Sequence, residues 1–389
     1  MREKPLLILA VCFFCFSLAL FSQTWSPLKQ ITWSSGVSDS PRAATRLNNI
    51  YLVWKDDSPG NYEIFFKKSG DLGTTWSATK RLTWNGGESA NPRTVVDSNG
   101  VLHVFWHDNS PGNFEIFFKK STDDGATWSA LKRLTWTTSK SQYPVTALDS
   151  TNNVYVLWLD EALGDAQLFG KYSTNNGDSW SATQIITYGL RTSSPSIYID
   201  LKDKFHVNYS KLQPGGYEIF YKQNSVFSNL ESTSPKQMTY TSDNSTGAKL
   251  VMDSSGTLHM IWLKWHWEAS YASSYGYYRI STDGGTNWGN PSSLTLDYIL
   301  GHCIAVDSQD RLHYIYSRQW YWDFPAPDIY YISRDVGSGG WWSYPATKLT
   351  WNQLSSSSTI VIDLNDDIHV FFKSYKGGTY QIFYKKGTI

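Results

Sequence analysis

Residues Val53–Trp84 read VWKDDSPGNYEIFFKKSGDLGTTWSATKRLTW, and residues Phe105–Trp136 read FWHDNSPGNFEIFFKKSTDDGATWSALKRLTW. From 53 to 105 the offset is 52 residues, and the two stretches agree almost letter for letter. The Trp that follows the Gly of this pattern recurs as Trp25, Trp76, Trp128, Trp180, Trp288 and Trp342, at steps of 51 to 54 residues with one double step. A second marker, the Asp of DSNGVLHVFW, keeps the same period at Asp97, Asp149, Asp200, Asp253, Asp307 and Asp363. A period of this length means one supersecondary unit repeated along the chain, which overrides the two or three domains that length alone suggests.

Each copy holds four short runs of β-branched and aromatic residues separated by Gly, Asn, Asp and Ser, the pattern of strands joined by turns. In the second copy these are A (Arg93–Val96), B (Leu102–Trp106), C (Glu115–Lys119) and D (Trp128–Thr135), with Asp97-Ser98-Asn99-Gly100 as a tight A–B turn. Units of this kind predict an all-β chain: a seven-bladed β-propeller of four-stranded antiparallel blades. The seventh set, Thr359–Val361, Ile368–Phe372 and Gln381–Lys385, is followed by no D strand, whereas an orphan D-like run spans Trp25–Thr32. The N-terminal strand is therefore expected to complete the last blade and close the ring.

Composition narrows the function. The chain has 389 residues with 34 Lys+Arg and 34 Asp+Glu, so no basic surface speaks for a nucleic-acid partner. Residues 1–22 carry Arg2 and Lys4 followed by an apolar run, the form of a secretory signal peptide, which leaves a single propeller domain over residues 23–389. The expected location is secreted or cell-surface, with membrane contact only through the signal segment if it stays uncleaved. Cys12 and Cys15 lie in that segment, so Cys303 is left alone and stability must come from packing rather than disulfides. A monomer is expected. No phosphate loop, zinc spacing or nucleotide fingerprint appears, so no cofactor and no metal is expected.

The C–D turns read SGDLGTTW from Ser69, STDDGATW from Ser121, STNNGDSW from Ser173 and STDGGTNW from Ser281. The sequence in this respect resembles the Asp-box, or bacterial neuraminidase repeat, of the sialidase-like propeller superfamily. The resemblance covers nearly the whole chain after the signal segment and implies fold rather than chemistry, because such boxes occur in enzymes, lectins and scaffolds. Sialidases use three arginines, a Tyr–Glu nucleophile pair and an Asp acid/base, and they are six-bladed. The usual Arg-Ile-Pro signature is missing here. Ser40-Pro41-Arg42 and Asn91-Pro92-Arg93 occupy one repeat slot, as do Tyr62-Glu63, Phe114-Glu115 and Tyr217-Glu218, so each is read as structural.

Antiparallel order sends the B–C and D–A loops to one face, and the variation is concentrated there. Two insertions stand out, Leu263–Gly276 in blade five and Ser317–Asp328 in blade six. They carry Trp265, His266, Trp267 and Glu268, then Arg318, Trp320, Tyr321, Trp322 and Asp323. Flat rings beside charged groups suit a sugar, which stacks its C–H face and hydrogen-bonds its hydroxyls. Arg191, an unrepeated cation on that face, joins them as a candidate for an acidic sugar. His107 and His302 join too, because they break the repeat. His103, His206, His259, His313 and His369 share one slot in strand B and are read as structural, as are the slot aromatics Trp33, Trp84, Trp136, Tyr188, Tyr240 and Trp351. Asp56, Asp108 and Asp160 at the ends of strand B are read first as turn caps. The expected function is recognition of a glycan or polysaccharide through the aromatic loops of blades five and six. A glycoside-cleaving enzyme, sialidase-like or a polysaccharide lyase, and a cell-surface protein scaffold are the alternatives.

Overall fold

A computed structural model describes residues 23–268, 271–294, 298–319, 327–336, 342–343, 345–351 and 353–388. Residues 1–22, read above as a signal segment, Trp320, Tyr321, Trp322 and Asp323, and the side chains of Trp267 and Glu268, lie outside the described residues.

Seven antiparallel sheets follow one another along the chain. In blade one, strand A is Ser38–Arg46, B is Asn49–Asp56, C is Glu63–Ser69 and D is Lys80–Arg81, hydrogen-bonded in that order. The A strands of successive blades touch all the way round, including the last (Ser356–Ile362) against the first, so the ring is closed. Closure uses the N-terminal segment as expected: Thr24–Trp25 and Lys29–Gln30 both pair with strand C of blade seven, Thr379–Thr388. The D strands are shorter than the sequence predicts. In blade two only Lys132–Arg133 pairs, because the preceding residues turn back around the Ser-x-Asp-x-Gly turn.

Strand B is buried along its whole length in blades two and three, Leu102–Asp108 and Val154–Asp160. A sheet packed on both faces by neighbouring sheets has no wet side, which explains the unbroken apolar runs of LHVFWHD and VYVLWLD. The core is accordingly divided among blade interfaces. One cluster joins Val53, Ile64 and Phe66 of blade one to Leu102, Val104 and Trp106 of blade two.

The C–D turns work as their residue types suggest. Asp71 accepts from the Thr75 amide at 2.8 Å, and Asp123 from the Thr127 amide at 2.8 Å. Gly73 (φ 88°) is doubly required, since a Cβ there would sit 2.1 Å from the Tyr384 hydroxyl of the preceding blade. Trp76 wedges edge-on against Phe371 and Tyr384. Blade four lacks the motif, and a 3-10 turn at Phe227–Leu230 replaces it. Phe227 then takes the wedge position against Tyr155 and Phe205.

Four of the five slot histidines make the structural hydrogen bonds expected of them; His103, with Phe118 in place of the tyrosine and Asp97 3.9 Å away, is buried without one. His206, His259, His313 and His369 each donate from Nε2 to an A–B turn aspartate (2.8–3.1 Å) and accept at Nδ1 from a strand-C tyrosine (2.6–2.7 Å). Glu63 and Glu115 hold Arg81 and Arg133 at 2.8 and 2.9 Å, and Asp56 caps its turn by accepting from the Ser58 amide at 2.9 Å. One repeated set departs from expectation. Trp33, Trp84, Trp136, Tyr188, Tyr240 and Trp351 are exposed, each two places beyond a buried Ile, Leu or Met and past the paired residues of strand D, where the chain leaves the sheet.

Candidate functional site

Strand A is bulged in all seven blades, between Asp39 and Arg42 in the first and between Ala90 and Arg93 in the second. Four of the bulges place a residue of positive φ before proline, at Ser40, Asn91, Tyr143 and Ser194. Proline has no N–H for the ladder, so the strand steps over it. In blade five Gly247 (φ 72°) does the same job without proline.

The step sets what the next residue faces. Arg42, Arg93, Val145, Ser196, Lys249 and Thr359 are the residues that resume pairing with strand B, and in blade six, where pairing resumes at Gly301, Cys303 two places on takes the matching slot. All seven line a single cavity of about 610 Å³ on the ring axis. Two arginines and a lysine therefore converge there, half-buried, in a wall completed by Ser317, Ser356, Ser357 and Ser358. Among the described residues the cavity lining contains no Asp or Glu. Asp39, the acidic group nearest in charge to Arg42, is already paired with Lys373 at 2.9 Å. Arg42 and Arg93 each spend one N–H on the carbonyl of their own proline, at 2.7 and 3.0 Å.

The electrostatic cost is visible in the pKa shifts. Burial is the main cause that lowers Lys249 from 10.5 to about 8; Cys303 pulls it upward, and the smaller repulsions of Arg93 and then Arg42 push it down. Burial also lowers both arginines. Uncompensated like charges in one cavity raise the energy of the empty site, which an anion would relieve.

The cavity opens through a cleft of about 700 Å³ that shares Arg93, Val145 and Lys249 with it and adds Lys140, Tyr143, Glu161, Arg191 and Tyr217. Arg191, singled out in the sequence, thus stands exposed at the mouth of the site. The two off-pattern histidines lie near it but are not free to move protons. His107 is buried, accepts from the Tyr143 amide at 3.1 Å, and is lowered by burial to about 3. His302 donates from Nε2 to the Gly247 carbonyl at 2.8 Å and accepts at Nδ1 from the Tyr314 hydroxyl at 3.3 Å, with burial lowering it to about 4. Each holds a backbone group at a neighbouring bulge, which is why each breaks the repeat.

The blade-five insertion is a β-hairpin rather than a loop. Strands Leu258–Glu268 and Tyr271–Ser281 stay paired to the tip, Glu268 opposite Tyr271. Trp265 is partly buried, its Nε1 donating to Thr246 Oγ1 at 3.0 Å. His266 is half-exposed and pairs with Asp243 at 2.9 Å. Arg318 ends strand B of blade six, beside the Tyr330 ring at 5.9 Å. Arg42 and Arg93 were missed as site residues because repetition was read as structure, and Lys249, which has no proline before it, carried no signal of its own. Lining up the slot after the X-Pro step would have set two arginines and a lysine beside Val, Ser, Cys and Thr.

No protein-family model and no curated protein matches the sequence. Solved structures match in fold. The Penicillium chrysogenum α-L-arabinanase complexed with arabinobiose is 16% identical, with a TM-score of 0.57 over 81% of this chain and 99% of that one. An ulvan lyase, a polysaccharide lyase bound to a GlcA(1-4)Rha3S unit, is 10% identical with a TM-score of 0.59 over 91% and 97%. The NanB sialidase of Streptococcus pneumoniae is 11% identical with a TM-score of 0.51 over 93% and 70%. At such identities the likeness is one of fold.

Proposed function

We propose that this chain is an exported Asp-box β-propeller that binds an acidic glycan at the mouth of its axial channel. The observation that carries the reading is the convergence of Arg42, Arg93 and Lys249 on a cavity lined by hydroxyls and by no carboxylate. A uronate or similar carboxylate would take charge-assisted hydrogen bonds from the cations, and the serines and Thr359 would meet sugar hydroxyls. The names of the arabinanase, the ulvan lyase and the sialidase support a carbohydrate ligand, and the GlcA(1-4)Rha3S unit named for the ulvan lyase is an acidic one. In this proposal Arg191 guides the anion at the entrance. The rings of blades five and six, Trp265, Trp267, Trp320 and Trp322, supply stacking. Binding is favoured over turnover because His107 and His302 have their lone pairs or N–H groups already committed.

Calorimetric titration with oligogalacturonate and with a neutral arabino-oligosaccharide tests the proposal. Arg42→Gln, Arg93→Gln and Lys249→Gln are each expected to weaken acidic-sugar binding by roughly tenfold or more, the scale of a charged hydrogen bond. Their melting temperatures should be unchanged or higher, since each relieves repulsion. Equal affinity for the neutral sugar, or undiminished affinity in all three variants, would refute it.

A further inference from the structure

We infer that the outer rim is a second binding surface, a repeated ring-and-cation subsite that takes an anionic polysaccharide independently of the axial channel. At six of seven blade interfaces the slot two residues after the buried apolar residue of strand D is aromatic: Trp33, Trp84, Trp136, Tyr188, Tyr240 and Trp351. Their exposure runs from 48% at Tyr188 to 78% at Tyr240. Strand C of the following blade supplies a cation to the same six interfaces, Lys67, Lys119, Lys171, Lys222, Arg279 and Lys385. The ammonium lies 5.4 Å from the ring centre for Lys67–Trp33 and for Lys119–Trp84, and 5.3 Å for Lys385–Trp351.

The pair is lost as a pair. Between blades five and six the ring slot holds Leu296 and the cation slot Ile332. Leu296 lies outside the described residues, but its slot follows from Leu294, whose amide bonds the Gly276 carbonyl just as that of Leu82 bonds the Ile64 carbonyl. That interface still packs, through Ile261, Leu263, Tyr314 and Ile332. The pair is therefore not what holds blades together.

Four of the six cations are held by the carbonyl of the preceding blade's buried apolar residue, and Lys67, Lys222 and Lys385 are themselves buried. Lys67 donates to the Ile31 carbonyl at 2.8 Å, Lys119 to that of Leu82 at 2.8 Å and Arg279 to that of Met238 at 2.6 Å. Among the described residues none of the six is paired with a carboxylate. Two interfaces open into grooves, about 800 Å³ around Trp33, Lys29 and Lys67, and about 540 Å³ around Tyr240, Lys236 and Arg279. A flat ring beside an unpaired cation matches a sugar ring bearing carboxylate or sulfate. A polymer that repeats its charge matches a protein that repeats its cation, and weak subsites then add through avidity.

Affinity electrophoresis in gels containing dextran sulfate, polygalacturonate or plain dextran tests this in the Arg42→Gln/Arg93→Gln/Lys249→Gln background, where the axial site is silenced. Retardation by both acidic polymers and not by dextran is expected to persist there. Adding Trp33→Ala, Trp84→Ala, Trp136→Ala and Trp351→Ala should weaken it by about two- to fivefold per ring, which multiplies to roughly fifteen- to six-hundredfold together. The rings are exposed, so circular dichroism should show the fold intact. Loss of polymer binding with the axial residues alone, or full retention without the four rings, would overturn the inference. So would binding to anionic phospholipid vesicles with none to either polymer.

Discussion

Lys249 brings a positive charge into a channel whose lining offers it no carboxylate. With its pKa lowered to about 8 by burial and by Arg93 and Arg42, it is an ammonium at neutral pH and a neutral amine a unit or two above. A bound carboxylate stabilises the charged form, so binding takes up a proton near that value and affinity must fall as pH rises through about 8. Titration of oligogalacturonate between pH 7 and pH 9 should show this loss. The loss should be absent in Lys249→Gln, with both proteins in a Cys303→Ser background so that only the lysine differs. The same pH profile in both would contradict the assignment. His107 and His302 teach the converse lesson. They broke the repeat and so looked chemical, yet each serves a bulge, at Tyr143 and at Gly247. Sequence shows that a residue is unusual; which backbone group needs it depends on contacts 36 or 55 residues away.

At the scale of strands, closure is the step on which the ring depends. The N-terminal segment donates Ile31 to a buried cluster with Ile50, Trp54, Phe371 and Ile382, and Thr32 bonds Gln381 at 2.8 Å. Deleting residues 23–34 removes this apolar burial and leaves strand C of blade seven as an open edge. The melting temperature should fall by roughly 10 °C or more. An unchanged melting temperature would mean that the ring is held by other contacts. This closure was legible from the strand count alone, as were the blades, because both rest on local periodicity. The bulge was not. Ser40-Pro41-Arg42 reads as a turn-like tripeptide, and only the register of strand A against strand B reveals that proline is stepped over and Arg42 aimed at the axis. Likewise the blade-five insertion looks like a loop by composition, while cross-strand pairing from Trp265–Ser274 to Glu268–Tyr271 extends the sheet instead.

For the whole molecule, one repeat produces two different surfaces. The slot after the bulge comes together on the axis, where substitutions among copies of the same position created a cationic centre. The slot after strand D is spread around the circumference, where the copies stayed alike and form a belt. Neither was visible in a single copy: Trp84 alone resembles packing, and Arg93 alone resembles a repeated framework residue. A structure of the protein with an acidic disaccharide tests the central claim most directly. The carboxylate should lie within hydrogen-bonding distance of Lys249 and at least one of Arg42 and Arg93, with sugar hydroxyls against the serine wall. A sugar bound with its carboxylate elsewhere and the three cations untouched would contradict it.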